Sequence, residues 1–296
     1  MSDQAQSLRQ LVSSHDDILT TRPKAERGAK VITVSSGKGG VGKSNFTLNF
    51  ALALKALGKK VLLFDADIGM ANIDVLMGVR SQYSLYHLLK GEKDITEIIS
   101  IGTGSLPYIA GGSGMADLFT LSSNDLNLFM TQLEKITADM DFIIFDTGAG
   151  LSKEVLNFIT AADECIIVTT PEPTSITDAY ALIKVIQSLE EQVSFRLMIN
   201  RVSDEQEAKQ VSNKIALVAS KFLNIQIPMI GYMSDDQHVV RAVKKQVPFS
   251  VAFPTCTAAK DVQRMAMKYM NVPQLQSKDT YSGIKGFMHK WLKRTK

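Results

Sequence analysis

Short apolar runs alternate with longer amphipathic stretches from residue 30 onward. Val31–Val34, Val61–Phe64, Phe142–Phe145, Cys165–Val168, Phe195–Ile199 and the surroundings of Ile230 are apolar runs bounded by polar or turn residues, and they predict buried strands. Between them, helical spacing predicts helices near 44–57, 125–138, 151–160, 176–191 and 205–223, the first closed by Gly58. Strands that are apolar throughout need cover on both faces. Alternating with helices, they predict an α/β fold: a doubly wound, mainly parallel sheet with helices on both sides.

The two ends depart from this rhythm. Residues 1–28 are polar and carry no strand pattern, but Ala5, Leu8, Leu11 and Val12 fall on one helical stripe, with Ser2 or Asp3 as a cap and Pro23, Glu26 and Gly28 closing the arm. The main domain is expected over 29–272, followed by a tether and a tail over 273–296. In the tail, Tyr281, Ile284, Phe287, Met288, Trp291 and Leu292 share one helical face, and Lys285, Lys290, Lys293 and Arg294 occupy the other. Such a helix suits an anionic membrane surface, with Ile284, Phe287, Met288, Trp291 and Leu292 as anchors. The alternative is a terminal helix docked on its own domain, because Gly283 and Gly286 weaken it as an isolated helix; both can hold in turn, docked without ATP and released in the dimer.

Charge sharpens the contrast. The net charge is +3, yet residues 285–296 hold five cations and no acid, so the rest of the chain is slightly acidic. A diffuse nucleic-acid footprint over the body is not expected. Cys165 and Cys256 lie far apart, without metal spacing, as expected in a reducing cytosol. No apolar run approaches the roughly 20 residues needed to cross a bilayer, and no signal-peptide order opens the chain. A cytoplasmic protein is expected.

The candidate chemistry follows the first strand. Gly37-Lys38-Gly39-Gly40-Val41-Gly42-Lys43-Ser44 lies between a strand and a helix, the setting a P-loop requires. Glycines let successive N–H groups curl round phosphate oxygens, and the helix opening at Ser44 and Asn45 adds its positive end. Lys43 is expected on the β- and γ-phosphates of ATP and the Ser44 hydroxyl on Mg²⁺.

Lys38 gives the loop a second lysine, and in this it resembles the deviant Walker A loops of the MinD/ParA ATPases. That resemblance implies an ATP-sandwiched homodimer in which Lys38 acts on the partner's nucleotide. Asp65-Ala66-Asp67-Ile68-Gly69 looks like the family's switch I. Two residues apart at a strand end, Asp65 and Asp67 are expected on one side of the pleat, near the phosphates. The resemblance implies that Asp67 positions or deprotonates the attacking water, and a carboxylate there could also hold Mg²⁺ through water. The strand ending in Asp146-Thr147-Gly148 looks like Walker B and switch II, implying Asp146 on Mg²⁺ through water and Gly148 on the γ-phosphate. Asn200-Arg201 stands where the family binds adenine, and a carboxamide suits a base edge. Asp235 lies in the second base-contacting loop, although relatives often carry proline where Ser234 stands.

MinD-type chains begin almost at the first strand, whereas this one carries Asp3-Gln4-Ala5 followed by Leu8-Arg9. That head looks like the activating helix of the FlhG (FleN, YlxH) family. The resemblance implies that Gln4, Ala5, Leu8 and Arg9 contact an FlhF-type GTPase. It also implies an ATP-bound dimer that sits on the inner face of the membrane, acts with C-ring proteins such as FliM and FliY, and sets flagellar number and placement. A MinD-type cell-division regulator and a ParA-type soluble partitioning ATPase are the alternatives.

Overall fold

The computed structural model describes residues 28–67, 72–111, 131–137, 139–189, 193–271 and 283–295. The head residues Gln4, Ala5, Leu8 and Arg9, the Ile68-Gly69 end of the switch I motif and most of the tether therefore lie outside the described residues.

The chain order is β1 (Lys30–Ser36), α1 (Lys43–Ala56), β2 (Val61–Ala66), α2 (Ile73–Met77), α3 (Leu85–Leu89), α4 (Ile95–Ile98), β3 (Ile99–Ile101) and β4 (Pro107–Ile109). A helical stretch at 131–137 follows. Then come β5 (Phe142–Ala149), α5 (Lys153–Ala161), β6 (Glu164–Thr169), α6 (Pro173–Ser188), β7 (Ser194–Val202), α7 (Glu205–Leu223) and β8 (Met229–Ser234). Three further helices, α8 (Gln237–Lys245), α9 (Phe249–Ala252) and α10 (Thr257–Asn271), precede the tail helix α11 (Gly283–Thr295).

Eight strands form one sheet in the order β3-β4-β2-β5-β1-β6-β7-β8. Every pairing is parallel except β3 with β4. The expected doubly wound sheet is therefore present. The antiparallel β3–β4 edge and the short helices α2 to α4 were not among the sequence expectations.

Side chains alternate between faces along each strand. Ile32 and Val34, Leu63, Phe142 and Ile144 bury one way, into a core shared with α1 and α10. Val31, Leu62, Phe64, Ile143 and Phe145 bury the other way, into a core with α5 and α11. Beyond β6, Cys165, Ile167, Leu197 and Ile199 meet α6 and α7 in a third cluster. Cys165 is wholly enclosed, and burial pushes its thiol up to about 12, so it stays protonated at neutral pH.

The tail helix lies on the domain. Ile284, Phe287, Met288 and Trp291 are each at most 5% exposed. Phe287 stacks on Phe145 with ring centroids 4.9 Å apart and planes 8° from parallel, and Trp291 meets Phe158 edge-on at 4.4 Å. Asp163 ties the start of the helix down, accepting from Gly283 N through Oδ1 and from Val31 N through Oδ2. Of the two readings the amphipathic pattern left open, the structure shows the docked one. The expected membrane anchors Ile284, Phe287, Met288 and Trp291 are covered, and the Leu292 side chain lies outside the described residues. Among the described residues, no helix is long and apolar enough to cross a membrane.

Candidate nucleotide site

The carboxyl ends of β1, β2 and β5 and the amino end of α1 surround a cleft of about 740 Å³. Its walls include Gly39, Gly40, Gly42, Lys43, Ser44, Asn45, Asp67, Gly148, Ser152 and Arg201. Gly42 caps α1 with φ 91°, a left-handed conformation that disfavours side chains, and a Cβ there would also collide with the Asn200 side chain. Gly37 is glycine for space, because its Cα rests on the Asp178 carbonyl of α6. The loop is thereby pressed between α6 and Asn200.

Beneath the loop, Lys43 Nζ donates to Asp146 Oδ1 at 2.9 Å, and both side chains are nearly sealed from solvent. The Thr47 hydroxyl donates to the same oxygen at 2.7 Å. One helical turn after Lys43, Thr47 completes this triad, a contact that its i+4 spacing could have suggested. Among the described residues Asp146 Oδ2 is buried without a hydrogen-bond partner. An orphaned carboxylate oxygen costs free energy unless something polar or charged meets it, and a hydrated divalent cation is a suitable guest. The Ser44 hydroxyl lies 3.4 Å from Lys43 Nζ, within the same polar pocket. These residues fit an Mg²⁺–nucleotide.

Asp65 stands beside Asp146 and Asp67 beside Gly148, as two residues on one side of the pleat would, but their settings differ. Strand β2 ends at Ala66. Asp65 is 1% exposed, and its carboxylate accepts from the backbone of Asp67, Asn72 and Ile73. Burial, and then the neighbouring Asp146 carboxylate, push Asp65 up to about 7 despite those amides. Asp67 lines the cleft, with Oδ1 3.6 Å from the place a Cβ on Gly148 would occupy. The two switch motifs therefore meet.

Three other expected site residues stand elsewhere. Lys38 turns away from the cleft and donates to Glu172 Oε2 and Thr174 Oγ1, each at 3.0 Å, at the start of α6. Asn200 is engaged within the protein, with Nδ2 donating to the Val41 carbonyl at 2.6 Å and Oδ1 accepting from Arg201 N. It braces the P-loop from behind, while Arg201, at φ 56°, reaches the cleft wall. Asp235 follows β8 and is exposed, outside the residues that line the cleft.

Comparison with known proteins agrees with this geometry. Residues 29–199 match the family described as an AAA domain. The chain is 35% identical to the antiactivator FleN of Pseudomonas aeruginosa over 82% of its length and 87% of that protein. It is also 35% identical to the flagellum site-determining protein YlxH of Helicobacter pylori, over 80% of each. Among solved structures, the MinC:MinD cell division complex of Aquifex aeolicus superposes with a TM-score of 0.67 at 27% identity, covering 84% of this chain and 99% of that one. A P-loop cleft on a doubly wound sheet, with relatives of this kind along four-fifths of its length, places the chain in the FleN/YlxH (FlhG) flagellar group of the MinD/ParA ATPases.

Proposed function

We propose that this ATPase is a nucleotide-controlled membrane switch that regulates flagellar number and placement with an FlhF-type GTPase and the C-ring proteins FliM and FliY. ATP binds in the cleft on Gly39–Asn45, and two copies close over the nucleotides. The tail then leaves its groove for an anionic membrane, and hydrolysis reverses the sequence. The flagellar part of this reading is supported by the names of FleN and YlxH, and the GTPase part by the Gln4, Ala5, Leu8, Arg9 head.

One observation carries the switch: the nucleotide site and the tail dock share two elements. On β5, Asp146 faces Lys43 and the next residue back, Phe145, stacks on Phe287. On α5, Val155 lines the cleft and Phe158, one turn on, holds Trp291. A shift of either element on nucleotide binding is felt under the tail. Burying each apolar tail side chain is favourable by roughly 2 kcal/mol. A bilayer interface offers a comparable gain, with about 1 kcal/mol more for each nearby lysine, so the two sites can compete.

At the site, Mg²⁺ would supply charge for the phosphate oxygens, held by Ser44 and, through water, Asp146 and Asp67. Lys43 has to leave Asp146 for the phosphates. Asp67 stands beside Gly148, where an attacking water could be oriented. Lys38 would leave its exposed pairing with Glu172 to act on a second copy's nucleotide. Adenine is expected against Asn200, Arg201 and Asp235 once Asn200 lets go of Val41. Sedimentation velocity tests the dimer: ATP should convert wild type, but not Lys38→Ala, from monomer to dimer. A Lys38→Ala chain that dimerises and hydrolyses ATP normally would refute the trans arrangement.

A further inference from the structure

We infer that Asp65 is a positioning residue for ATP hydrolysis, fixing where the Asp67 carboxylate stands by tying both flanks of the switch to one buried anchor. The inference rests on the assignment of Asp67 to the hydrolytic step.

Both oxygens of Asp65 are used, and they serve opposite flanks. Oδ1 accepts from Asp67 N at 3.2 Å. Oδ2 accepts from Asn72 N at 2.9 Å and Ile73 N at 3.1 Å, the cap residue and the first residue of α2. An acceptor for α2 alone would need only one oxygen, and a serine or asparagine beside the helix start could supply it. What requires a carboxylate is the second oxygen, which reaches the backbone of Asp67.

The surroundings hold the side chain closely. Asp65 lies beside Asp146 in the parallel register of β2 and β5, so two carboxylates are buried side by side. Among the described residues, Asp146 has a cation, Lys43, and Asp65 has none. The anchor is also rigid. The Gly111 Cα packs so closely that a Cβ there would lie 2.5 Å from the Asp65 carbonyl and 3.3 Å from its Cγ. Asp67 thus begins one residue beyond a strand end and is held from a fixed point, which a group that must meet an attacking water within a fraction of an ångström requires.

The test is a double-mutant cycle on the full chain with Asp65→Asn, Asp67→Asn and the pair, reading kcat, ATP affinity and thermal midpoint. Asparagine keeps one oxygen acceptor and the side-chain volume, so folding is retained while one flank loses its tie. Asp65→Asn is expected to lower kcat about tenfold with ATP affinity changed less than twofold. It should cost nothing further in the Asp67→Asn background, because it acts through Asp67. Normal kcat in Asp65→Asn beside a damaged Asp67→Asn overturns this inference alone. A parallel fall of kcat, affinity and midpoint in Asp65→Asn, or full additivity in the pair, overturns it too by making Asp65 structural. Normal turnover in Asp67→Asn removes the role of Asp67 and this inference with it.

Discussion

Phe145 and Phe287 stack at 4.9 Å with their planes 8° apart, and Phe145 is the residue immediately before the nucleotide-site Asp146. The tail helix is therefore seated on the strand whose end carries the carboxylate proposed for the cation. Around this stack, Phe158 and Trp291 complete a group of four rings.

Phe158→Ala should free the tail without altering it. Truncating a buried phenylalanine costs about 3–5 kcal/mol, and here the loss falls on the contact with Trp291 and Phe287. Trp291 is the sole tryptophan of the chain, so its fluorescence reports docking directly. Without nucleotide, the variant is expected to show red-shifted emission and vesicle binding that wild type lacks. Unchanged emission would mean that the ring cluster does not hold the helix.

Lys43→Ala leaves the Asp146 charge buried without its cation. Breaking one side of a buried ion pair typically costs about 3–5 kcal/mol, so the variant's midpoint without nucleotide should fall by several degrees. Asp146→Asn removes the charge that Lys43 faces and the oxygen proposed for the cation. It should reduce Mg²⁺-dependent hydrolysis about a hundredfold. Calorimetric scans and a phosphate-release assay on the two variants check both expectations.

Asp236 gives the fold a defined acid sensitivity. Burial alone would raise its carboxyl, but the His238 and Ala258 amides and the His238 ring outweigh it and hold Asp236 at about 2. A depressed carboxylate contributes stability above its unfolded value of about 4 and loses it as pH falls through about 2. Denaturant unfolding should show wild-type stability declining across that window. Asp236→Ala should be less stable at neutral pH by about 1 kcal/mol, the usual cost of a lost helix cap, with a flatter slope in the window.

The parts of the site carried by consecutive residues were legible in the sequence. The P-loop, the strands ending near Asp67 and Asp146, and α7 at Glu205–Leu223 all follow from local pattern. Strands β3 and β4 were not foreseen, because three residues each leave no periodicity to read. Contacts distant in sequence escaped too: Glu172 and Thr174 lie 134 and 136 residues from Lys38. The burial of Asp65 was not foreseen because its partners are backbone amides, which no residue type announces. The tail's pattern was read correctly but was ambiguous by nature, since an apolar stripe is the same whether it meets a groove or a bilayer.

Co-sedimentation with anionic vesicles tests the central claim most directly, comparing ATP with ADP for the full chain and for a chain lacking residues 281–296. Binding with ATP, little binding with ADP and none without the tail is the expected result. Equal binding in both nucleotides, or ATP-dependent binding that survives loss of the tail, would contradict the switch.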